Sequence, residues 1–188
     1  MDPEWRLDSS WEQCRFIECD FRGANLLELR TRACEFEDCD FTGARLSSTS
    51  HKSTSFLNCN FENADLFGAE LDHCRMIGSS FEGCNLSGID VKGGDWSFVN
   101  LRYQELERLH LSDVKFKGAD FAGATLDSSD LQRCLFDGAS FQNAKLRKVN
   151  LLGASLEGVD LKTADLKGAH LDLKQAVHFA RCFGILVE

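Results

Sequence analysis

Proline occurs once in this chain of 188 residues, and no long polar or low-complexity run interrupts it. Flexible linkers and disordered segments depend on such stretches, so we expect a single continuous domain. No apolar run approaches the roughly 18 residues that a membrane-spanning helix needs. Residues 1–13 carry acidic groups and lack the apolar core of a signal peptide, so the expected location is the cytoplasm.

Basic residues are also scarce. The chain has 21 Lys and Arg against 30 Asp and Glu, which gives a formal net charge of −9. Residues 1–94 hold 17 acids and 9 bases, so most of the imbalance lies in the first half. This charge disfavours direct binding to nucleic acid, whose phosphates attract Lys and Arg. It favours a basic protein partner, although solubility alone would also account for it.

The familiar motifs of catalysis are absent from the sequence. We find no nucleophile elbow, P-loop, dinucleotide-binding fingerprint or H-E-x-x-H pair. We therefore predict that the protein is not an enzyme and uses no cofactor.

A five-residue repeat runs through residues 16–171. Every fifth position is sampled 32 times, and 30 of these positions hold Phe, Leu, Met, Val or Trp. Only Thr31 and His51 break the rule. A period of five fits neither an α-helix nor a flat strand, so it indicates a repeat architecture.

Cysteine is used in one particular slot of this repeat. Eight of the nine cysteines lie two residues before a repeat centre: Cys14, Cys19, Cys34, Cys39, Cys59, Cys74, Cys84 and Cys134. The same slot otherwise holds mostly Ala, Ser, Thr or Val, so we interpret these cysteines as small buried side chains. The C-x₂-C spacing of zinc ligands does not occur, and we predict no metal site.

The repeat unit, small–polar–Phe/Leu–polar–Gly/polar, resembles the pentapeptide-repeat family; Ala24-Asn25-Leu26 and Ala119-Asp120-Phe121 show it best. The resemblance implies an all-β fold, a right-handed quadrilateral β-helix with four pentapeptides, or 20 residues, in each coil. The sequence supports this superperiod, because the third of four columns is Leu at all eight positions from Leu26 to Leu166. We expect about eight coils.

Two regions of the repeat are irregular. Thr31 and His51 follow each other in the fourth column, where they could hydrogen-bond inside the rod or turn outward towards a partner. In residues 87–110 the small slot holds larger residues such as Gln104, which needs hydrogen-bond partners if it points inward. We predict a local distortion there.

The ends of the chain differ from the repeat. Residues 1–13, with Trp5, Leu7 and Trp11, are expected to cap the first coil, and the repeat proper to occupy residues 14–171. Residues 172–188 predict a short α-helix with Asp172 as N-cap and Gly184 as the C-terminal stop. Its apolar residues either form a simple cap or hold a symmetric dimer, which we favour: Leu173, Val177, Phe179, Ala180, Phe183, Ile185 and Val187.

Acidic residues line one side of the predicted rod. The positions that precede the second column's centres contain no base, and further acids flank them. A rod with regularly spaced negative charge could occupy a basic groove that normally holds DNA. The candidate binding residues are Glu18, Asp20, Glu37, Asp38, Asp40, Glu62, Glu82, Asp120 and Asp160.

Nearly the whole chain also resembles the fluoroquinolone-resistance branch of the family, the Qnr and especially the mycobacterial MfpA-type proteins. The similarity is carried by CEFEDCDF, LDHCRMIGSSFEGCNL and LDLKQAVHFARCFGI. It implies a dimeric DNA mimic that binds DNA gyrase, inhibits supercoiling and can protect the enzyme from quinolone-type poisons. The chain departs from Qnr proteins in having no room for their protruding loops. A generic interaction scaffold or a toxin-immunity protein with another partner is the alternative.

Overall fold

The computed structural model describes residues 10–187 as a parallel β-solenoid followed by one α-helix. The strands are β1 Ser10–Glu12, β2 Arg15–Ile17, β3 Arg30–Arg32, β4 Glu35–Glu37, β5 Ser50–Lys52, β6 Ser55–Leu57, β7 Glu70–Asp72 and β8 Asp90–Lys92, and the helix is α1 Leu173–Cys182. The strands form a five-stranded sheet, β1-β3-β5-β7-β8, and a three-stranded sheet, β2-β4-β6.

Every pairing joins residues that are 20 positions apart. Ser10 pairs with Arg30 at the start of the rod, and single bridges of the same register continue to the pair of Asn150 and His170. The predicted 20-residue coil and the count of about eight coils are therefore confirmed. We number the four faces of the coil by their central residues: face I runs from Phe16 to Leu156, face II from Phe21 to Leu161, face III from Leu26 to Leu166 and face IV from Thr31 to Leu171.

Stacked side chains fill the inside of the rod. Rings on face II lie above one another, with centroids 4.8 Å apart for Phe21 and Phe41 and 4.9 Å apart for Phe41 and Phe61. Between faces I and II the rings meet edge to face, as in Phe36 and Phe41. Coils at this spacing make a rod about 40 Å long. Burial of each large side chain contributes roughly 1.5–3 kcal/mol, which is why so regular a pattern specifies the fold.

The small slot two residues before each centre holds groups that also donate hydrogen bonds. The thiol of Cys34 donates to the carbonyl of Trp11 at 3.3 Å, and Ser129 Oγ donates to the carbonyl of Leu106 at 2.6 Å. Six of the eight cysteines in this slot are buried as predicted, whereas Cys14 and Cys19 at the start of the rod are half-buried; the buried ones are Cys34, Cys39, Cys59, Cys74, Cys84 and Cys134. Burial raises the pKa of Cys59 to about 12, so this thiol stays protonated.

Thr31 and His51 point inward and are 3% and 2% exposed. Thr31 Oγ1 lies 2.7 Å from His51 Nδ1 and 2.8 Å from the hydroxyl of Thr54. The imidazole meets the ring of Phe56 edge to face at 5.2 Å. Because burial lowers the pKa of His51 to about 4, the ring is neutral at physiological pH. The internal hydrogen-bonding interpretation of this pair is confirmed.

The predicted distortion in the middle of the rod is present. Within the described residues, no backbone bridge joins Asn85 to Glu105 or Asp90 to His110, although faces I and II stay paired there. Gln104 lies beside this gap in a slot that smaller residues occupy in most coils, and its amide donates to the carbonyl of Phe81 at 2.6 Å. The longer side chain keeps the hydrogen bond of this slot while it takes more room than the regular coil provides.

The helix closes the C-terminal end of the rod. Asp172 accepts a hydrogen bond from the backbone of Gln175, and the Gln175 side chain accepts one from the backbone of Asp172, which forms a capping box. Gln175 is buried and donates to the carbonyls of Leu151 and Ala154 in the last regular coils. Gly184, at a φ of +75°, follows the helix as predicted. Among residues 10–187 there is no helix with the length and hydrophobicity to cross a bilayer.

The N-terminal end is described only from Ser10. Strand β1 already pairs with β3, and Trp11 packs against Phe16 with ring centroids 5.0 Å apart. These residues extend face IV by one strand below the first full coil. Trp5 and Leu7 of the predicted cap lie outside the described residues.

Candidate partner-binding face

The polar residues that precede the centres of face II stabilise the turns of the coil. Where the residue before the centre is Asp or Asn, its side chain accepts from the backbone N–H two positions later: Asp40 accepts from Thr42 at 2.9 Å, and Asn60 accepts from Glu62 at 3.1 Å. Asp and Asn perform this role equally well. The turn therefore explains why the position before a face II centre is polar, but it does not explain why so many of these positions hold a charged residue.

The negative charge of the first four coils is concentrated on face II. Together with the corner that leads into it, this face carries six acids and one base: Glu18, Asp20, Asp38, Asp40, Glu62 and Glu82, with Arg22. Face IV with its leading corner carries four of each: Glu28, Glu70, Asp72 and Asp90, with Arg30, Arg32, Lys52 and Lys92. Since faces II and IV lie on opposite sides of a four-sided coil, the rod has one strongly acidic side.

Two arginines neutralise part of this face. Arg22 Nη2 lies 2.6 Å from Asp20 Oδ2, and Arg22 Nε lies 3.8 Å from Asp40. Hydrogen bonds from the side chain and backbone of Arg22 lower the pKa of Asp20 to about 2. Farther along, Arg102 Nη1 lies 2.9 Å from Asp120 Oδ2. The sequence did not reveal these pairs, because Arg22 and Arg102 occupy the slot after the centre rather than the acidic slot.

Five of the proposed residues, Glu18, Asp38, Glu62, Glu82 and Asp160, form no ion pair among residues 10–187. All five are exposed on face II or on its leading corner. Glu37 is different: it lies in β4 on face I, where Arg15 Nη2 approaches its carboxylate to 2.9 Å. The continuous acidic surface therefore excludes Glu37.

Two exposed aromatic residues on this face were not singled out from the sequence. Phe98 and Tyr103 stand at its two corners in the fifth coil, and they are 67% and 71% exposed. The available signal was their position, because the same corner slots mostly hold glycine or small polar residues in the other coils.

The proposed dimer residues do not all lie on one surface. Leu173 is 83% exposed, and Phe183, Ile185 and Val187 are also exposed at the end of the chain. Val177 is half-buried, and it lines a pocket of about 670 Å³ between α1 and the last coil. Phe179 packs against the core of its own rod.

The remaining proposed dimer residue, Ala180, is half-buried. The exposed subset of the seven residues can reach a second copy, whereas Phe179 serves mainly the intramolecular cap.

Comparison with family models assigns nearly all of the described repeat. The model "Pentapeptide repeat region" matches residues 9–78, and the model "Pentapeptide repeats (8 copies)" matches residues 97–133 and 134–172. The chain belongs to the pentapeptide-repeat family. A search of the curated proteins gives no match.

Solved pentapeptide-repeat structures include similar folds. A trypsin-treated form of QnrB1, a plasmid-mediated fluoroquinolone resistance protein, is 29% identical over 95% of this chain and 91% of its own, with a TM-score of 0.83. Full-length QnrB1 is 28% identical over 94% and 90%, with the same TM-score. HetL, a protein involved in heterocyst differentiation regulation from a Nostoc cyanobacterium, is 22% identical over 85% and 88%, with a TM-score of 0.51, and shares the fold alone.

The match to QnrB1 supports the predicted Qnr branch of the pentapeptide-repeat family. Assignment to the narrower MfpA type stays a prediction.

Proposed function

We propose that this pentapeptide-repeat protein is a DNA mimic that binds DNA gyrase in the cytoplasm and inhibits its supercoiling activity. The observation that carries the proposal is the charge of face II in the first four coils, six acids against one base. The similarity to QnrB1, a fluoroquinolone resistance protein, supports DNA gyrase as the enzyme whose basic DNA-binding groove this rod would occupy. It also supports protection of gyrase from quinolone-type poisons as part of the function.

The charge density of face II is comparable with what a protein groove meets on DNA. Four coils span about 19 Å, over which a duplex carries about 11 phosphates. A groove that contacts one side of the duplex meets about half of them. The net charge of −5 on this part of face II is similar to that number.

We further propose a homodimer, joined by the exposed apolar residues Leu173, Phe183, Ile185 and Val187 at the end of the rod. A dimer joined there would double the length of the acidic rod and place the two acidic halves at its outer ends. This matches a partner with two equivalent DNA-binding halves.

A supercoiling assay with charge-neutral variants tests the proposal. Asp38→Asn with Asp40→Asn removes two charges from face II, while the next coil shows that Asn58 and Asn60 fit the same slots. We expect the inhibitory concentration to rise about tenfold and to depend less on salt, because charge pairs at an interface mainly govern encounter.

The matched control removes two charges from the opposite face. Glu70→Gln with Asp90→Asn on face IV should inhibit as the unmodified protein does. Equal inhibition by all three proteins would show that face II is not the contact, and no inhibition by the unmodified protein at large excess and low salt would refute the gyrase assignment. In the presence of a quinolone, we expect less cleaved DNA as the protein is added; unchanged cleavage would exclude protection.

A further inference from the structure

Phe98 and Tyr103 occupy backbone positions that are unfavourable for bulky side chains. Their φ angles are +61° and +59°, and across residues 10–187 they are the only Phe or Tyr residues with a positive φ. Glycine adopts this conformation freely, whereas a bulky residue is strained in it. The regular turn continues without disturbance, because each backbone N–H donates to the next coil, to Lys117 and Ala122. The hydrogen bonds of the turn therefore do not require an aromatic side chain at these corners.

Both rings lie against the following coil, where glycine leaves the space. A Cβ on Gly118 would approach the ring of Phe98 to 2.6 Å, and a Cβ on Gly123 would approach the ring of Tyr103 to 2.5 Å. Arg102 fixes the second ring further, with its guanidinium 5.5 Å from the ring centroid. Aromatic side chains held in this way lose little conformational entropy when they bind.

The two rings continue the acidic surface. Asn100, which lies between them, pairs in register with Ser80 of the fourth coil, so the fifth coil follows Glu82 directly on face II. Phe98 stands at the corner towards face I and Tyr103 at the corner towards face III. Face II therefore has four acidic coils followed by a coil with an aromatic ring at each edge.

The surroundings of the rings select the kind of partner. Nucleic acid and anionic membrane surfaces carry negative charge, and the neighbouring acids would repel both. A protein with basic residues beside an apolar depression complements both parts of the surface. Interface energy commonly concentrates in a few aromatic anchors surrounded by weaker contacts.

We propose that Phe98 and Tyr103 are the apolar anchors with which face II binds a basic groove of its protein partner. This inference rests on the proposed function for the identity of the partner, DNA gyrase. In this mode of binding, the acids of coils one to four steer and orient the rod, and the two rings fix its position along the groove.

Binding to purified gyrase at two salt concentrations tests the anchors. Phe98→Gly with Tyr103→Gly restores the residue common at these corners, so the fold should keep its thermal stability. We expect the Kd to rise at least about 30-fold, by the same factor at low and high salt, because the lost contacts are apolar. Leu152→Gln is the control on face IV: it removes an exposed apolar side chain from a slot that holds Gln132 one coil earlier, and its Kd should change less than about twofold.

The outcomes separate this inference from the proposed function. A Kd for the glycine variant within about threefold of the unmodified protein, or a loss confined to low salt, overturns the anchors and leaves the gyrase assignment standing. Failure of the unmodified protein to bind gyrase overturns both. If the glycine variant folds poorly, Phe98→Asn with Tyr103→Asn replaces it, since Asn58 and Asn63 occupy the same two corner columns at φ +52° and +55°.

Discussion

The buried imidazole of His51 makes the stability of this rod depend on pH. The ring is enclosed between coils, and burial lowers its pKa from 6.5 to about 4. Between these values the unfolded chain binds a proton that the folded chain excludes. Stability contributed by the neutral ring is therefore fully present above pH 6.5 and is lost as the pH falls towards 4.

The size of the effect follows from the shift in pKa. A difference of about 2.5 pKa units corresponds to about 3 kcal/mol when the titration is complete. By pH 5 about 2 kcal/mol of this stability should be lost, relative to pH 7.5. That is a large part of the 5–15 kcal/mol typical of folded domains.

Denaturant unfolding at pH 7.5, 6.5 and 5.0 measures the loss. His51→Leu supplies the comparison, because leucine occupies the same column one coil later at Leu71 and cannot take up a proton. We expect this variant to lose about 2 kcal/mol less than the unmodified protein between pH 7.5 and 5.0. His73→Asn is the control that removes an exposed rather than a buried histidine. Equal losses for His51→Leu and the unmodified protein would refute the reasoning.

Two further predictions concern the backbone and the dimer. Gly94→Ala should lower the melting temperature well beyond Gly88→Ala, because a Cβ at Gly94 would lie 2.2 Å from the carbonyl of Cys74 whereas Gly88 has open space; similar melting temperatures would contradict this packing. Leu173→Glu should halve the molar mass measured by light scattering at unchanged melting temperature, because this side chain is 83% exposed; a mass that stays dimeric would exclude Leu173 from the contact.

The five-residue period determined most of the fold in advance. Inward positions admit only side chains that fill the rod, so Phe, Leu and the small slot could be assigned without coordinates. For the polar residues at inward positions, the need for a hydrogen-bond partner was predictable: Thr31 hydrogen-bonds with His51, and Gln104 donates to the carbonyl of Phe81. A buried polar group needs a partner, and the superperiod of 20 residues indicates which residue lies above it.

The packing of the C-terminal helix could not be predicted fully from the sequence pattern. The apolar residues of the helix, Leu173 among them, were predicted to form a cap or a dimer contact; Leu173 is exposed, and the residue buried against the rod is Gln175. The reason is that the carbonyl of Ala154 lies at the end of the rod, where no further coil supplies a backbone N–H, and it accepts from Gln175 Nε2 at 2.9 Å instead, so a donor is needed there rather than an apolar group. An apolar period indicates which side chains pack against other side chains. It does not reveal that a carbonyl at the end of the rod needs a hydrogen-bond donor.

Only part of the arrangement of side chains on face II follows from the sequence. Alternation indicates which residues point outward, and the 20-residue column places Asp20 and Asp40 above each other, as the structure does. It does not tell how far an outward side chain reaches, so the pairing of Arg22 with Asp20 and the contact of the Phe98 and Tyr103 rings with the following coil appear only in the structure.

The strict 20-residue register also limits how such a protein can change its length. Adding or deleting a single residue would turn the inward side chains of the following segment outward, and adding five would move every later column to the neighbouring face. Only the gain or loss of a whole coil preserves both the core and the charge pattern. The rod can therefore lengthen or shorten only in increments of about 4.8 Å. The length of its acidic surface therefore changes only by whole coils, and duplication of a coil is the simplest way to adapt that length to a partner.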